Sequence, residues 1–135
     1  MTLDKEILRH IVLGNKKFEI KVTAPFNDSV ADFLVDFSNE LRKFKQINLF
    51  PDLIYLIFWC NKNKKKNSSE YFNDNCLRLG RGLIFHICPS NVPTNFIYSF
   101  FFGLLSGNSN IVKVPSKDFK EKKIILSVVK SLFNR

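Results

Sequence analysis

The sequence predicts an α/β fold built on a parallel sheet, and three observations lead there. Leu83-Ile84-Phe85-His86-Ile87-Cys88 is a continuous apolar run, the pattern of a strand buried on both faces. The segments after residue 80 alternate strand, helix, strand, helix, which is the repeating unit of a parallel sheet. The chain of 135 residues, 45% apolar and 24% charged, is long enough for one modest domain with a core of its own.

Residues 16–23 open the series. Phe18, Ile20 and Val22 alternate with polar neighbours, which predicts a half-buried strand, and Pro25 and Asn27-Asp28 end it. Val30, Phe33, Leu34, Phe37, Leu41 and Phe44 then recur at steps of three and four, one apolar stripe of a helix. Asp28 or Ser29 is placed to cap its start. Pro51 suits the first turn of a second helix, predicted to reach about Cys60 and to be largely buried. Residues 61–75 are polar. Lys62, Lys64, Lys65 and Lys66 lie there without interleaved arginine or aromatic residues, the composition of a solvated loop rather than a nucleic-acid site.

The strand at 83–88 is followed by the connection Pro89-Ser90-Asn91-Val92-Pro93 and by a helix over 94–106 that Gly107-Asn108 ends as a left-handed cap. Ile111-Val112-Lys113-Val114 reads as a second strand. Residues 118–133 read as a last helix, with Ile124, Ile125, Val128, Val129 and Leu132 on one face.

The formal net charge is +9, carried unevenly: residues 1–79 hold 13 Lys/Arg against 10 Asp/Glu, residues 80–135 hold 8 against 2. Such a surplus attracts anionic cofactors, membranes or nucleic acid, or is only a solvated surface. Cys60, Cys76 and Cys88 form no CxxC pair, and His10 and His86 are far apart, so neither a disulfide framework nor a zinc site is expected. Free thiols and a charged N-terminus without an apolar core point to a cytoplasmic protein. The apolar runs 53–60 and 96–105 fall short of the roughly 20 residues of a spanning helix, so no transmembrane segment is expected.

No GxGxxG and no P-loop is present. The informative text is Gly80-Arg-Gly-Leu-Ile-Phe-His-Ile-Cys-Pro-Ser-Asn-Val-Pro93, then Phe102-Gly-Leu-Leu-Ser-Gly-Asn108, then Ile111-Val-Lys-Val-Pro-Ser-Lys117. In order and spacing it resembles the first βαβ unit of the aldehyde dehydrogenase superfamily. Together with Pro51-Asp-Leu-Ile and Phe58-Trp59, it is similar to the bacterial acyl-CoA reductases that supply long-chain aldehyde in bioluminescence. The resemblance is clearest over residues 50–118.

That resemblance implies a partial aldehyde-dehydrogenase-like fold. Residues 1–79 would be an N-terminal helix and strand segment, and residues 80–135 the first βαβα unit of an NAD(P)-binding domain. It implies reduction of a long-chain acyl-CoA, or an acyl-protein donor, to aldehyde with NADPH through a cysteine acyl-enzyme. Asn91 would be the catalytic residue, an oxyanion donor. Lys113 would bind the cofactor's adenosine ribose. Ser116, where NAD-preferring relatives have glutamate, leaves room for a 2′-phosphate, and Lys117 adds attraction. The family's nucleophilic cysteine lies far downstream, so the chain alone is expected to be inactive and to need a C-terminal portion. A homo-oligomer is a possible assembly.

Other readings of the same residues stay open. Asn91 could only close its turn, Lys113 could snorkel from a strand edge, and His86 could be a proton carrier or a core histidine bonded to a backbone carbonyl. Cys88 is expected to be a small buried thiol. The alternatives for the whole chain are a non-catalytic basic interaction module and a truncated pseudogene product.

Overall fold

The computed structural model describes residues 11–14, 19–63 and 75–134. Along them run helix α1 (Asp28–Arg42), a 3-10 turn (Ile47–Leu49), helix α2 (Pro51–Asn63), strand β1 (Leu83–Ile87), helix α3 (Asn95–Leu105), strand β2 (Ser109–Lys113) and helix α4 (Lys120–Phe133). The two strands pair in parallel, Leu83 opposite Ser109 through Ile87 opposite Lys113, with α3 as the crossover between them. The chain is therefore α/β, with a two-stranded parallel sheet among the described residues.

The predicted stripe of α1 is buried: Leu34, Phe37 and Leu41 are fully enclosed, with Ser38 between them. Phe44 lies beyond the helix end and is exposed. The cap is one residue earlier than expected. Asn27, not Asp28 or Ser29, stands outside the helix and its side-chain oxygen accepts the Ser29 N–H at 2.9 Å. Pro51 opens α2 as predicted, where its missing N–H costs nothing. Leu53, Leu56, Ile57 and Cys60 of α2 are buried, but Ile54, Tyr55 and Phe58 are exposed, so α2 has one buried face rather than being largely buried.

Phe101 of α3 is where the helices meet. Its ring takes the edges of Phe37 (centroids 5.0 Å apart) and Phe33 (6.2 Å) from α1, and stacks on Trp59 of α2 (6.1 Å). Such pairs add about 0.5–1.5 kcal/mol each to the area that the rings bury. Ile124, Ile125, Val128 and Val129 of α4 close the same core.

Among the described residues the sheet is covered on one face only. Val112, Val114 and Cys88 pack against the helical core, while Phe85 and Ile87 on the other side of the pleat are 59% and 71% exposed. The apolar run of β1 is thus not buried on both faces here. Residues 16–18 of the predicted first strand lie outside the described residues, and residues 19–24 form no strand. Ile20 and Val22 are both exposed, so their alternation marks no buried face. The segment is held by single bonds instead of a ladder: Lys21 N–H donates to Ser109 Oγ (2.9 Å) and Ser109 Oγ–H to the Lys21 carbonyl (2.8 Å). No described helix is long and apolar enough to cross a membrane.

Candidate functional site

The glycines and asparagines of the motif do structural work at the amino end of the sheet. Gly107 has φ +79°, the left-handed cap expected after α3. A Cβ there would collide with the Thr23 carbonyl, and a Cβ on Gly80 would collide with the Gly107 carbonyl. Three backbone segments therefore touch where these glycines lie. Thr23 N–H donates to Gly107 O and Gly80 N–H to Thr23 O, both at 3.0 Å. Asn108, buried, accepts the N–H groups of Arg81 (2.6 Å) and Gly82 (3.2 Å) through its side-chain oxygen. The Gly-Arg-Gly and Gly-Asn pieces of the motif are two halves of one clamp.

A second polar cluster lies between the sheet and α3. Asn110 Nδ2 donates to the Asn108 carbonyl at 2.7 Å, which leaves Asn110 Oδ1 to accept from His86 Nε2–H at 2.8 Å. His86 Nδ1 then accepts the Ser99 hydroxyl at 2.7 Å. His86 is half-buried and hydrogen-bonded, with side chains as partners rather than the backbone carbonyl of the core-histidine reading. Gly103 makes room for the cluster, because a Cβ at that position would strike Asn110 Oδ1 and crowd His86 Nε2. Asn110, Ser99 and Gly103 carried no signal in the sequence beyond a glycine inside an apolar helix.

The candidate site residues stand at the opposite, carboxyl end of the strands. Asn91 is exposed in the turn after β1, and its carboxamide makes no hydrogen bond to any described residue. Lys113 is the last residue of β2, exposed, opposite Ile87 and with no carboxylate partner among the described residues. Lys113 borders a cavity of about 320 Å³ between β2, α3 and α4, whereas Asn91 does not. Ser116 is exposed in the loop beyond β2, which α4 holds from below: Lys122 Nζ donates to the carbonyls of Pro115 (3.2 Å) and Lys117 (2.7 Å). Lys117 Nζ lies 5.0 Å from the centre of the Phe119 ring.

A family model described as acyl-CoA reductase (LuxC) matches residues 62–133, a little over half of the chain and the part that contains both strands, Asn91, Lys113 and Ser116. The chain belongs to the acyl-CoA reductase (LuxC) family. No curated protein and no solved structure matches it. Within this reductase chain the cysteines differ sharply. Cys60 is fully buried, and burial pushes its thiol up to about 12. Cys76 is exposed, and Cys88 is half-buried with its sulfur 3.9 Å from the Asn95 carbonyl. No group of His, Cys, Asp or Glu among the described residues could hold a metal ion.

Proposed function

We propose that this chain supplies the oxyanion donor and the adenosine-end contacts of an NADPH-dependent reductase that converts long-chain acyl-CoA, or an acyl-protein donor, to aldehyde. The observation that carries the reading is the parallel β1–β2 pair of a family member, with Asn91 just after one strand and Lys113 ending the next. Ligands of open α/β sheets sit at the carboxyl ends of the strands. The finer fold is that of a partial aldehyde-dehydrogenase-like domain. Residues 1–79 form its N-terminal segment and residues 80–135 the first βαβα unit of the cofactor-binding part.

Asn91 is a neutral amide donor with no side-chain partner among the described residues, and would stabilise the charge that builds on the thioester oxygen when a thiolate attacks. Removing one such donor costs about 100- to 1,000-fold in turnover. None of Cys60, Cys76 and Cys88 is given the nucleophile's role: Cys60 is buried and hard to ionise, Cys76 precedes β1, and Cys88 is half-buried with its sulfur toward the Asn95 carbonyl. The chain by itself would release no aldehyde. Bound NADPH would supply the hydride.

The residues present fit its adenosine end. Lys113 offers the ribose hydroxyls an ammonium with no carboxylate partner among the described residues, and Ser116 adds no negative charge where a 2′-phosphate would lie. Lys117 adds positive charge nearby. The setting would be the cytoplasm, and a homo-oligomer is compatible with the uncovered sheet face.

Titration of the purified chain with NADPH and NADH tests this. Wild type should bind NADPH more tightly than NADH, Ser116→Glu should reverse the order, and Lys113→Ala should weaken both by roughly tenfold to a hundredfold, as for a charge-assisted hydrogen bond. Unchanged NADPH binding in Lys113→Ala would contradict the cofactor assignment.

A further inference from the structure

α2 is apolar on two sides. Its inner face buries Leu53, Leu56, Ile57 and Cys60, yet Ile54, Tyr55 and Phe58 on the outer face are 43%, 70% and 68% exposed. At about 100° per residue these three fall within one arc of about 100°, so they form a stripe rather than scattered single residues. Phe102 of α3, 57% exposed, extends the stripe beyond Trp59, whose ring centre lies 5.1 Å from its own. Lone apolar side chains on a surface are ordinary, but a contiguous aromatic patch marks a surface that something else covers. The helix has 13 residues, about 20 Å, too short to cross a bilayer.

Charge is arranged along the same helix. Asp52, its only acidic residue, stands in the first turn, and Lys62 in the last is exposed. Lys64, Lys65 and Lys66 follow directly in the sequence, so four of the five residues from 62 to 66 are lysines. The whole chain carries +9. Patch and charge together select among occupants. A second copy would bring the same positive charge against the same patch. Surfaces that meet another protein are ordinarily depleted in lysine and enriched in arginine, and no arginine lies between Pro51 and Lys66. An anionic bilayer asks for no forked donor and no fixed geometry. It needs positive charge within a Debye length and aromatic rings that can sit at the headgroup level. Lysine stems also lie well along an apolar boundary with their ammonium groups among the headgroups.

We propose that the outer face of α2, with Phe102 beside it, and the lysines from Lys62 to Lys66 seat the chain on the surface of an anionic lipid bilayer. α2 lies along that surface, its aromatic rings reach the boundary between headgroups and acyl chains, and the lysines meet the headgroup charge. No lipid is drawn out of the bilayer. The surface contains none of Asn91, Lys113 and Ser116, so the proposal stands or falls apart from the cofactor reading.

Co-sedimentation of the full chain with vesicles tests it, using phosphatidylcholine alone and phosphatidylcholine with about one third phosphatidylserine. Binding to the neutral vesicles should be roughly a hundredfold weaker than to the mixed ones, and mixed-vesicle binding should fall steeply as salt rises from about 0.1 M to about 0.5 M. Trp59, the single tryptophan, should be shielded from acrylamide on the mixed vesicles and not on the neutral ones. Tyr55→Ser/Phe58→Ser, at exposed positions, should weaken mixed-vesicle binding at least tenfold. Lys64→Gln/Lys65→Gln/Lys66→Gln should weaken it about a hundredfold, at about fivefold per charge. The two variants remove different contacts, so either decides if circular dichroism shows the other to be unfolded. Phe85→Ser on the open sheet face should change nothing. Equal affinity for both vesicles, no binding at all, or binding that neither variant weakens would overturn the proposal. So would a loss in Phe85→Ser in their place, which would move the surface to the sheet. Dimers in sedimentation velocity that Tyr55→Ser/Phe58→Ser disperses would also overturn it and make the patch a contact between copies.

Discussion

Gly103 shows how one hydrogen atom in place of a methyl group decides packing. Glycine inside a helix ordinarily costs about 0.5–1 kcal/mol relative to alanine, so Gly→Ala would be expected to stabilise. At residue 103 the added Cβ meets the His86–Asn110 pair, and the cost of overpacking, about 1–3 kcal/mol, outweighs the helix gain. Gly103→Ala is predicted to lower stability in urea unfolding; a more stable variant would mean that the cluster can shift without loss. The cysteines give a second test at this scale. Cys60 has its pKa raised by burial from 9.0 to about 12. A raised pKa means that the folded state prefers the neutral thiol. The stabilising contribution is whole below about pH 9 and is lost as pH rises toward 12. Iodoacetamide at pH 8 should label exposed Cys76 first and leave Cys60 untouched until the protein unfolds, and early labelling of Cys60 would show that the core opens readily.

Among the elements, the helices were the most legible because each shows its buried face at a 3.6-residue period over several turns. Val30 through Leu41 on α1 and Ile124 through Val129 on α4 are buried as their spacing requires. Strand β1 was legible from its apolar run and β2 from Ile111-Val112-Lys113, although β2 begins earlier, at Ser109. Short strands carry few residues of signal. The pattern at Ile20 and Val22 misled for that reason, since alternation over so few positions does not say whether a face is covered. The caps could be tested residue by residue. Asn27→Ala should cost about 1 kcal/mol and Asn27→Ser almost nothing, because either side-chain oxygen can take the Ser29 N–H. Gly107→Ala should cost more than the helix cap does, since it combines a φ of +79° with a collision against the Thr23 carbonyl. A loss of less than 0.5 kcal/mol there, roughly the scatter of ordinary surface substitutions, would contradict the three-segment clamp.

At the scale of the whole molecule, the sequence motif turns out to serve two ends of one small sheet. The amino end is architecture: Gly80, Gly107 and Asn108 bring three backbones into contact. The carboxyl end carries Asn91 and Lys113, whose side chains have no hydrogen-bond or ion-pair partner among the described residues. The sequence revealed both sets through the same run of text, but not which residues are bonded within the fold and which are not. That distinction needs the hydrogen bonds, and these join residues up to 88 positions apart. The Ser99–His86–Asn110 cluster escaped notice for the same reason, as nothing local marks three dispersed polar side chains as neighbours. We place the nucleotide at the carboxyl end of the β1–β2 pair. Titration of the isotope-labelled chain with NADPH, followed by backbone amide NMR, tests it most directly. Shift changes should concentrate at residues 88–92 and 113–117, with near constant shifts in α1 and α2, and the pattern should be lost in Lys113→Ala. Changes centred on other basic surface, or a wild-type pattern in Lys113→Ala, would contradict it.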